Sequence, residues 1–257
     1  MQRVVTMDSV LRVVGVCLLT LCIGRGAAAE QAHVAVAANF VEPIRAIALV
    51  LQRSTGHSLK ISAGSSGALY TQIKNGAPFD VFLSADDERP LMLEKDGWAQ
   101  PGTRFTYALG KLVLWSAMPG RVDDQGSVLR RSDLGRVAFA NPKTAPYGTA
   151  ALQVLDHMDV KKMLNPKLVQ GESIGQVFNF VKTGNADVGF VALSQVLRDG
   201  QLREGSVWVI PPTYYQPIRQ EAVLLKRGAG NEAAQALLKL LQNSNTKDLI
   251  RSFGYDL

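Results

Sequence analysis

Cysteine is confined to Cys17 and Cys22, and the long remainder of the 257-residue chain has none. Disulfides, thiolate metal sites and a cysteine nucleophile are excluded from that remainder. Histidine is nearly as scarce. His33, His57 and His157 lie far apart, lack an i, i+4 ligand partner and make no metal-site pattern. No G-x-x-x-x-G-K-S/T and no G-x-G-x-x-G occurs, which disfavours a nucleotide ligand. Lys and Arg are scattered, without a block of about five or six like charges, so a nucleic-acid surface finds no support. Low-complexity stretches and repeats of fixed period are missing as well.

Long apolar runs are also missing. The run VVGVCLLTLCIG follows Arg3 and Arg12 and is too short to span a bilayer as a helix. Ala27-Ala28-Ala29 then supplies an A-x-A-like cleavage site before Glu30. Residues 1–29 therefore read as a secretory signal peptide; the alternative is an N-terminal membrane anchor. Cys22 could accept a lipid only if LTLC served as a lipoprotein cleavage box, and the bulky Leu21 argues against it. The expected compartment is outside the cytoplasm, most simply a bacterial periplasm. Loss of Arg3, Arg12, Arg25 and Asp8 with the leader lowers the formal charge from +6 to +4. That mild basic balance favours a small anionic ligand only weakly.

What remains is 47% hydrophobic and 19% charged over the whole chain, an ordinary composition for one large or two small globular domains. Strand-like and helix-like runs alternate. HVAVAA precedes a helix with Phe40, Ile44, Ile47, Ala48 and Leu51 on one face. SLKISA precedes ALYTQIKNG, and DVFLSA precedes a helix over residues 87–96. KLVLWSA, RVAFA, PKLVQ, ADVGFVAL, VWVI and AVLLK read as further strands, with helices expected over 148–158, 176–182, 232–242 and 246–253. The alternation predicts an α/β fold with largely parallel sheets.

Four strand-to-helix junctions share a chemistry. Asn39 follows VAVAA, Ser65-Ser66-Gly67 follows LKISA, Pro146-Tyr147-Gly148-Thr149 follows VAFANPKTA, and Glu172-Ser173-Ile174-Gly175 follows PKLVQG. Each would leave backbone N–H groups unpaired at a helix N-terminus, where the dipole favours negative charge. In open α/β sheets ligands bind outside the carboxyl ends of the strands, where these junctions fall. Singly, each is an ordinary helix cap.

GESIG, residues 171–175, also matches G-x-S-x-G at a strand-to-helix turn, which would make Ser173 a hydrolase nucleophile. All three histidines precede Ser173, so the Ser–acid–His order fails, and a helix cap is the better account. Asp80, Asp86 and Asp87 form a carboxylate cluster that reads as a solvated loop beside Arg89. A binding protein is favoured over an enzyme.

VAVAANF, AGSSGALYTQIKNGAPFDVFLSADD, ANPKTAPYGTAALQVL and GNADVGFVALSQV, in this order and up to RSFGYDL, resemble the periplasmic molybdate-binding proteins of ABC importers, the ModA family. The resemblance implies a two-lobed type II periplasmic binding protein, each lobe a mixed, mainly parallel sheet flanked by helices. Lobe one would be residues 31–109 plus 222–257 and lobe two residues 110–221, with crossings near Gly110-Lys111 and Gln220-Glu221. It further implies a tetrahedral oxyanion, molybdate and by extension tungstate, held through its oxygens by Asn39, Ser66 and the backbone N–H groups of Tyr147 and Ile174. No protein atom would ligate the metal directly, and no cofactor is implied. Some relatives offer a Tyr hydroxyl where this chain has Ala192, so a different donor set is expected here. The implied partners are an ABC permease and its ATPase subunits, with the receptor itself a monomer that is not membrane-inserted once the leader is cut. A receptor for another small anion such as sulfate is the alternative.

Overall fold

The computed structural model describes residues 29–257. The expected signal peptide over residues 1–29, with Cys17 and Cys22, lies outside the described residues except for Ala29. Among the described residues no helix is long and apolar enough to cross a membrane.

The chain opens with β1 (Gln31–Ala37), α1 (Val41–Thr55), β2 (Ser58–Gly64), α2 (Ser66–Lys74), β3 (Val81–Leu83), α3 (Glu88–Lys95) and β4 (Phe105–Gly110). It continues through β5 (Leu112–Ser116), β6 (Val137–Ala140), α4 (Pro146–His157), α5 (Lys161–Leu164), β7 (Leu168–Gly171), α6 (Ile174–Lys182) and β8 (Val188–Ala192). Then come α7 (Leu193–Val196), the short ribbon β9 (Leu197–Arg198) and β10 (Gln201–Leu202), β11 (Ser206–Val209), β12 (Ile218–Leu224), α8 (Glu232–Gln242) and α9 (Ser244–Ser252).

The strands form two five-stranded sheets, ordered β2-β1-β3-β12-β4 and β11-β5-β8-β6-β7. Read from opposite ends, the two orders are the same. In the first, β1 runs parallel to β2 and β3, while β12 is antiparallel to both β3 and β4. In the second, β6 runs parallel to β7 and β8, while β5 is antiparallel to both β8 and β11. Each sheet thus has one reversed strand, and it is the strand the chain lays down on arriving from the other sheet. This is the two-lobed, mixed and mainly parallel architecture expected of a type II binding protein.

Burial explains the elements. Val34, Ala35 and Val36 of β1 are covered on both faces, as in a parallel strand at the centre of a sheet. On one face α1, α8 and α9 contribute Ile44, Ile47, Leu237 and Ile250. On the other, Leu69 and Leu93 of α2 and α3 pack with Phe82. The second lobe closes around Trp115, Tyr147, Val177 and Phe190. Gly56, at φ 77°, ends α1 in the left-handed region that glycine adopts without a Cβ penalty.

Three features differ from the expectation. Phe105–Gly110 forms a strand, because its residues pair with β12 instead of continuing the Pro101-Gly102 turn. The ribbon β9–β10 and the short helices α5 and α7 were not expected either. Gln220 and Glu221, placed at the return crossing, lie inside β12, which is already paired with β4 from Ile218 onward. An Arg-Gln-Glu run does not read as a sheet strand until its partners are known.

Candidate functional site

The four junctions meet. The first sheet sends β1 into α1 through Asn39 and β2 into α2 through Ser66. The second sends β6 into α4 through Tyr147 and β7 into α6 through Ile174. Together with Ser65 and Ala85 these residues line a small, tightly closed cavity between the lobes. Asn39, Ser66, Tyr147 and Ile174 are each at most 4% exposed. Among the described residues, no Asp, Glu, Lys, Arg or His lines this cavity.

The backbone N–H groups of Asn39, Ser66, Tyr147 and Ile174 meet no acceptor among the described residues. The cause is local. Ser66 and Ile174 are the first residues of their helices, where no preceding turn supplies a carbonyl. In α4 the first residue is Pro146, which has no N–H and a φ already suited to a helix, so Tyr147 offers that turn's first donor. Asn39 sits in the single 3-10 turn ahead of α1.

The Ser66 hydroxyl adds a directed donor. Its Oγ accepts from the Ala85 N–H at 2.8 Å, which uses an oxygen lone pair and leaves the O–H proton free. An anion in the cavity can accept a hydrogen bond from that O–H. Ile174 contributes through its backbone alone, its side chain being buried in the second lobe's core. Tyr147 also sends its hydroxyl away from the junction, to accept from Gln220 Nε2 at 3.1 Å.

Asn39 departs from the expected geometry. Its Nδ2 donates to Gln220 Oε1 at 2.8 Å and to the Tyr255 hydroxyl at 2.9 Å, so both amide hydrogens are engaged by the protein. Its Oδ1 is buried without a partner among the described residues. Gln220, fully buried, also lies 3.0 Å from the Tyr107 hydroxyl, which in turn reaches Ser84 O at 3.1 Å. Ser194 Oγ donates to Asn39 O at 2.9 Å. Burial pushes the phenols of Tyr107, Tyr147 and Tyr255 upward, so all three stay protonated at neutral pH.

The lobes are shut over the cavity. Gly67 N–H in α2 donates to Thr144 O at 2.8 Å, and Arg89 Nη2 donates to Lys143 O at 3.1 Å. Arg89 is steadied by its pairing with Asp86 in the turn before α3. A Cβ on Gly67 would stand 2.8 Å from Thr144 Cα, so the approach needs glycine. Gly64 is different: a Cβ there would meet only the Leu69 side chain of the following helix, at 3.3 Å.

The remaining sequence candidates have structural roles. Ser173 caps α6, its Oγ accepting from Gln176 N–H at 3.3 Å, while Gln176 Oε1 accepts from Glu172 N–H at 2.6 Å. None of the three histidines hydrogen-bonds to Ser173: His33 bonds Pro78 and Ser62, His57 bonds Glu30, and His157 stacks on Tyr214. Asp80 is buried, not solvated, and accepts from His33 N–H at 2.8 Å. Ala192 is fully buried, and its N–H goes to Gln195 Oε1 at 3.0 Å. Among the described residues no group of three or more His, Cys, Asp or Glu side chains could hold a metal ion.

Sequence reasoning missed Gln220, Tyr107, Tyr255, Ser194 and the Gly67–Arg89 closure. The one available signal was Gln220 itself, a polar residue two along from Ile218 on the same face of a strand.

Comparison with known proteins agrees with this architecture. Residues 32–256 match the family described as bacterial extracellular solute-binding protein. The chain is 51% identical over 244 residues to the molybdate-binding protein ModA of Azotobacter vinelandii, covering 93% of this chain and 97% of the relative. It is 52% identical over 230 residues to ModA of Rhodobacter capsulatus, covering 89% of each. The solved periplasmic molybdate-binding protein of Azotobacter vinelandii superposes with a TM-score of 0.85 at 42% identity, over 88% of this chain and 99% of that one. All three relatives carry the name of molybdate-binding proteins. From the matched family, the two relatives at 51% and 52% identity and the common fold, the chain belongs to the ModA family of bacterial extracellular solute-binding proteins.

Proposed function

We propose that this protein captures molybdate, and tungstate with it, in the periplasm and delivers the oxyanion to an ABC permease and its ATPase subunits. The observation that carries the reading is a cavity between shut lobes, without a charged side chain in its lining, toward which four free backbone N–H groups and the Ser66 hydroxyl converge as donors. The names of the two relatives at 51% and 52% identity support the same ligand.

The donors select by protonation and size. A fully ionised tetrahedral dianion accepts from every donor and needs no acceptor in return. Phosphate near neutral pH carries a proton, and the cavity walls hold no carboxylate to receive it. Leaving that proton unpaired costs about 1–3 kcal/mol. Sulfate passes this test, so it must be rejected by cavity size, molybdenum–oxygen and tungsten–oxygen bonds being longer than sulfur–oxygen bonds. Water exclusion by the closed lobes strengthens each hydrogen bond to the anion. The two sheets would then act as lobes one and two, turning about the strand crossings beside Gly110 and ahead of Ile218.

Calorimetric titration with molybdate, tungstate, sulfate and phosphate tests the assignment. Tight binding of the first two and weak binding of the others is expected. Sulfate bound as tightly as molybdate would replace the reading with a general sulfate-type receptor.

A further inference from the structure

Gln220 is a fully buried polar side chain in the middle of a sheet, and its contacts converge on the cavity wall. It accepts from Asn39 Nδ2 at 2.8 Å and donates Nε2 to the Tyr147 hydroxyl at 3.1 Å, so it joins a junction of each sheet. The chain makes room for it: a Cβ at Gly110 would stand 2.2 Å from the Tyr147 hydroxyl and 2.6 Å from Gln220 Nε2. As found, this arrangement leaves one buried polar atom unsatisfied, Asn39 Oδ1.

A half-turn of each amide about its terminal C–C bond exchanges oxygen for nitrogen at both positions and changes the balance. Gln220 Nε2 then donates to Asn39 Oδ1 and to the Tyr107 hydroxyl, whose proton goes to Ser84 O. The Tyr147 hydroxyl donates to Gln220 Oε1, and the Tyr255 hydroxyl donates to Asn39 Oδ1. Ser194 Oγ keeps its bond to Asn39 O. Both amide oxygens then have donors, and the two Asn39 N–H hydrogens, now where Oδ1 stood, have no acceptor among the described residues, so an anion beside Asn39 can accept from them. Without an anion those hydrogens are unsatisfied; an anion beside Asn39 pairs them.

We infer that Gln220 is the positioning residue of the oxyanion site, turning with Asn39 so that the Asn39 amide presents N–H, not C=O, to the bound anion. This rests on the oxyanion reading above. Gln220 does not touch the ligand; it acts through Asn39, and through Tyr147 it ties the orientation to the opposite lobe.

A double-mutant cycle on the full chain tests it, with molybdate titrated calorimetrically into wild type, Asn39→Ala, Gln220→Met and the double variant. Each single change is expected to weaken binding tenfold or more, with the double variant no weaker than Asn39→Ala alone. Additive losses, or a Gln220→Met protein that binds like wild type, would overturn the role. If Gln220→Met does not fold, side-chain amide NMR of the wild type decides. The Asn39 and Gln220 NH2 resonances must both move on adding molybdate, and a static Gln220 signal overturns the inference. A wild-type protein that binds no molybdate, with either result, would instead strike at the proposed function.

Discussion

Replacing Gly67 by Ala perturbs closure while sparing the separate lobes. In the shut form the new Cβ would stand 2.8 Å from Thr144 Cα and 3.1 Å from both Thr144 Cβ and Arg89 Nη2. Carbon atoms rest at about 3.5–4.0 Å, so the lobes must part by roughly 1 Å at this point. The clash is with a backbone atom, so no rotamer change relieves it. Overpacking of this kind costs about 1–3 kcal/mol, and loss of the Gly67–Thr144 hydrogen bond adds about 0.5–1.5 kcal/mol. A combined loss of about 2–4 kcal/mol corresponds to a roughly 30- to 1,000-fold weaker molybdate affinity. Once the lobes part, the Cβ no longer meets Thr144, and alanine suits a helix better than glycine. Calorimetry should therefore show the weakened binding while ligand-free thermal unfolding stays level or rises. Added molybdate should raise Tm less than in wild type, because the shift tracks ligand concentration over Kd. Affinity within threefold of wild type would refute the closure argument. A ligand-free Tm several degrees lower would show instead that Gly67 serves the resting fold.

Ser66→Ala removes a donor to the anion and orphans the Ala85 N–H, so affinity should fall about 10- to 100-fold and stability by about 1–3 kcal/mol, read by calorimetry and urea unfolding. Ser173→Ala removes only a helix cap. Urea unfolding should show a loss of about 0.5–2 kcal/mol with molybdate affinity unchanged, and a loss of ester-cleaving activity on this substitution would revive the nucleophile reading. Molybdate affinity should be flat from about pH 6 to 9, since the one titratable side chain among the described residues lining the cavity is Tyr147, whose phenol, like that of nearby Tyr255, is raised by burial. Stability should behave differently in alkali. The folded-state pKa values of Tyr107, Tyr147 and Tyr255 lie above their unfolded value, so their contribution is intact below about pH 10 and is lost as pH rises beyond it. A urea midpoint that does not move between pH 9 and 11 would contradict that sign.

The local parts of this protein were legible because their causes are local. Apolar spacing marks α1 and α8, Gly56 stops α1, and a small or capping residue ahead of each of four helices marks a free N-terminus. Strands with polar runs were not legible. Phe105–Gly110 and the Arg-Gln-Glu segment of β12 pair with each other, and neither signals a strand without the other. The carboxylate cluster misled for the same reason, since Asp80 is buried and accepts from the N–H of His33, on a strand far away in the chain.

The four junctions could be named from the sequence, because an unpaired helix N–H is a property of a helix start, while within two of them it was the family resemblance that singled out Tyr147 and Ile174. The convergence of the junctions could not be, since it depends on two sheets built from interleaved segments facing each other across one cavity. The same holds for Asn39's amide, whose orientation is set by Gln220 and Tyr255, 181 and 216 residues further along the chain. Sequence by itself determined where the donors are. Tertiary structure decided where they point, because the direction of a side-chain dipole depends on partners that only the folded chain brings within hydrogen-bond reach.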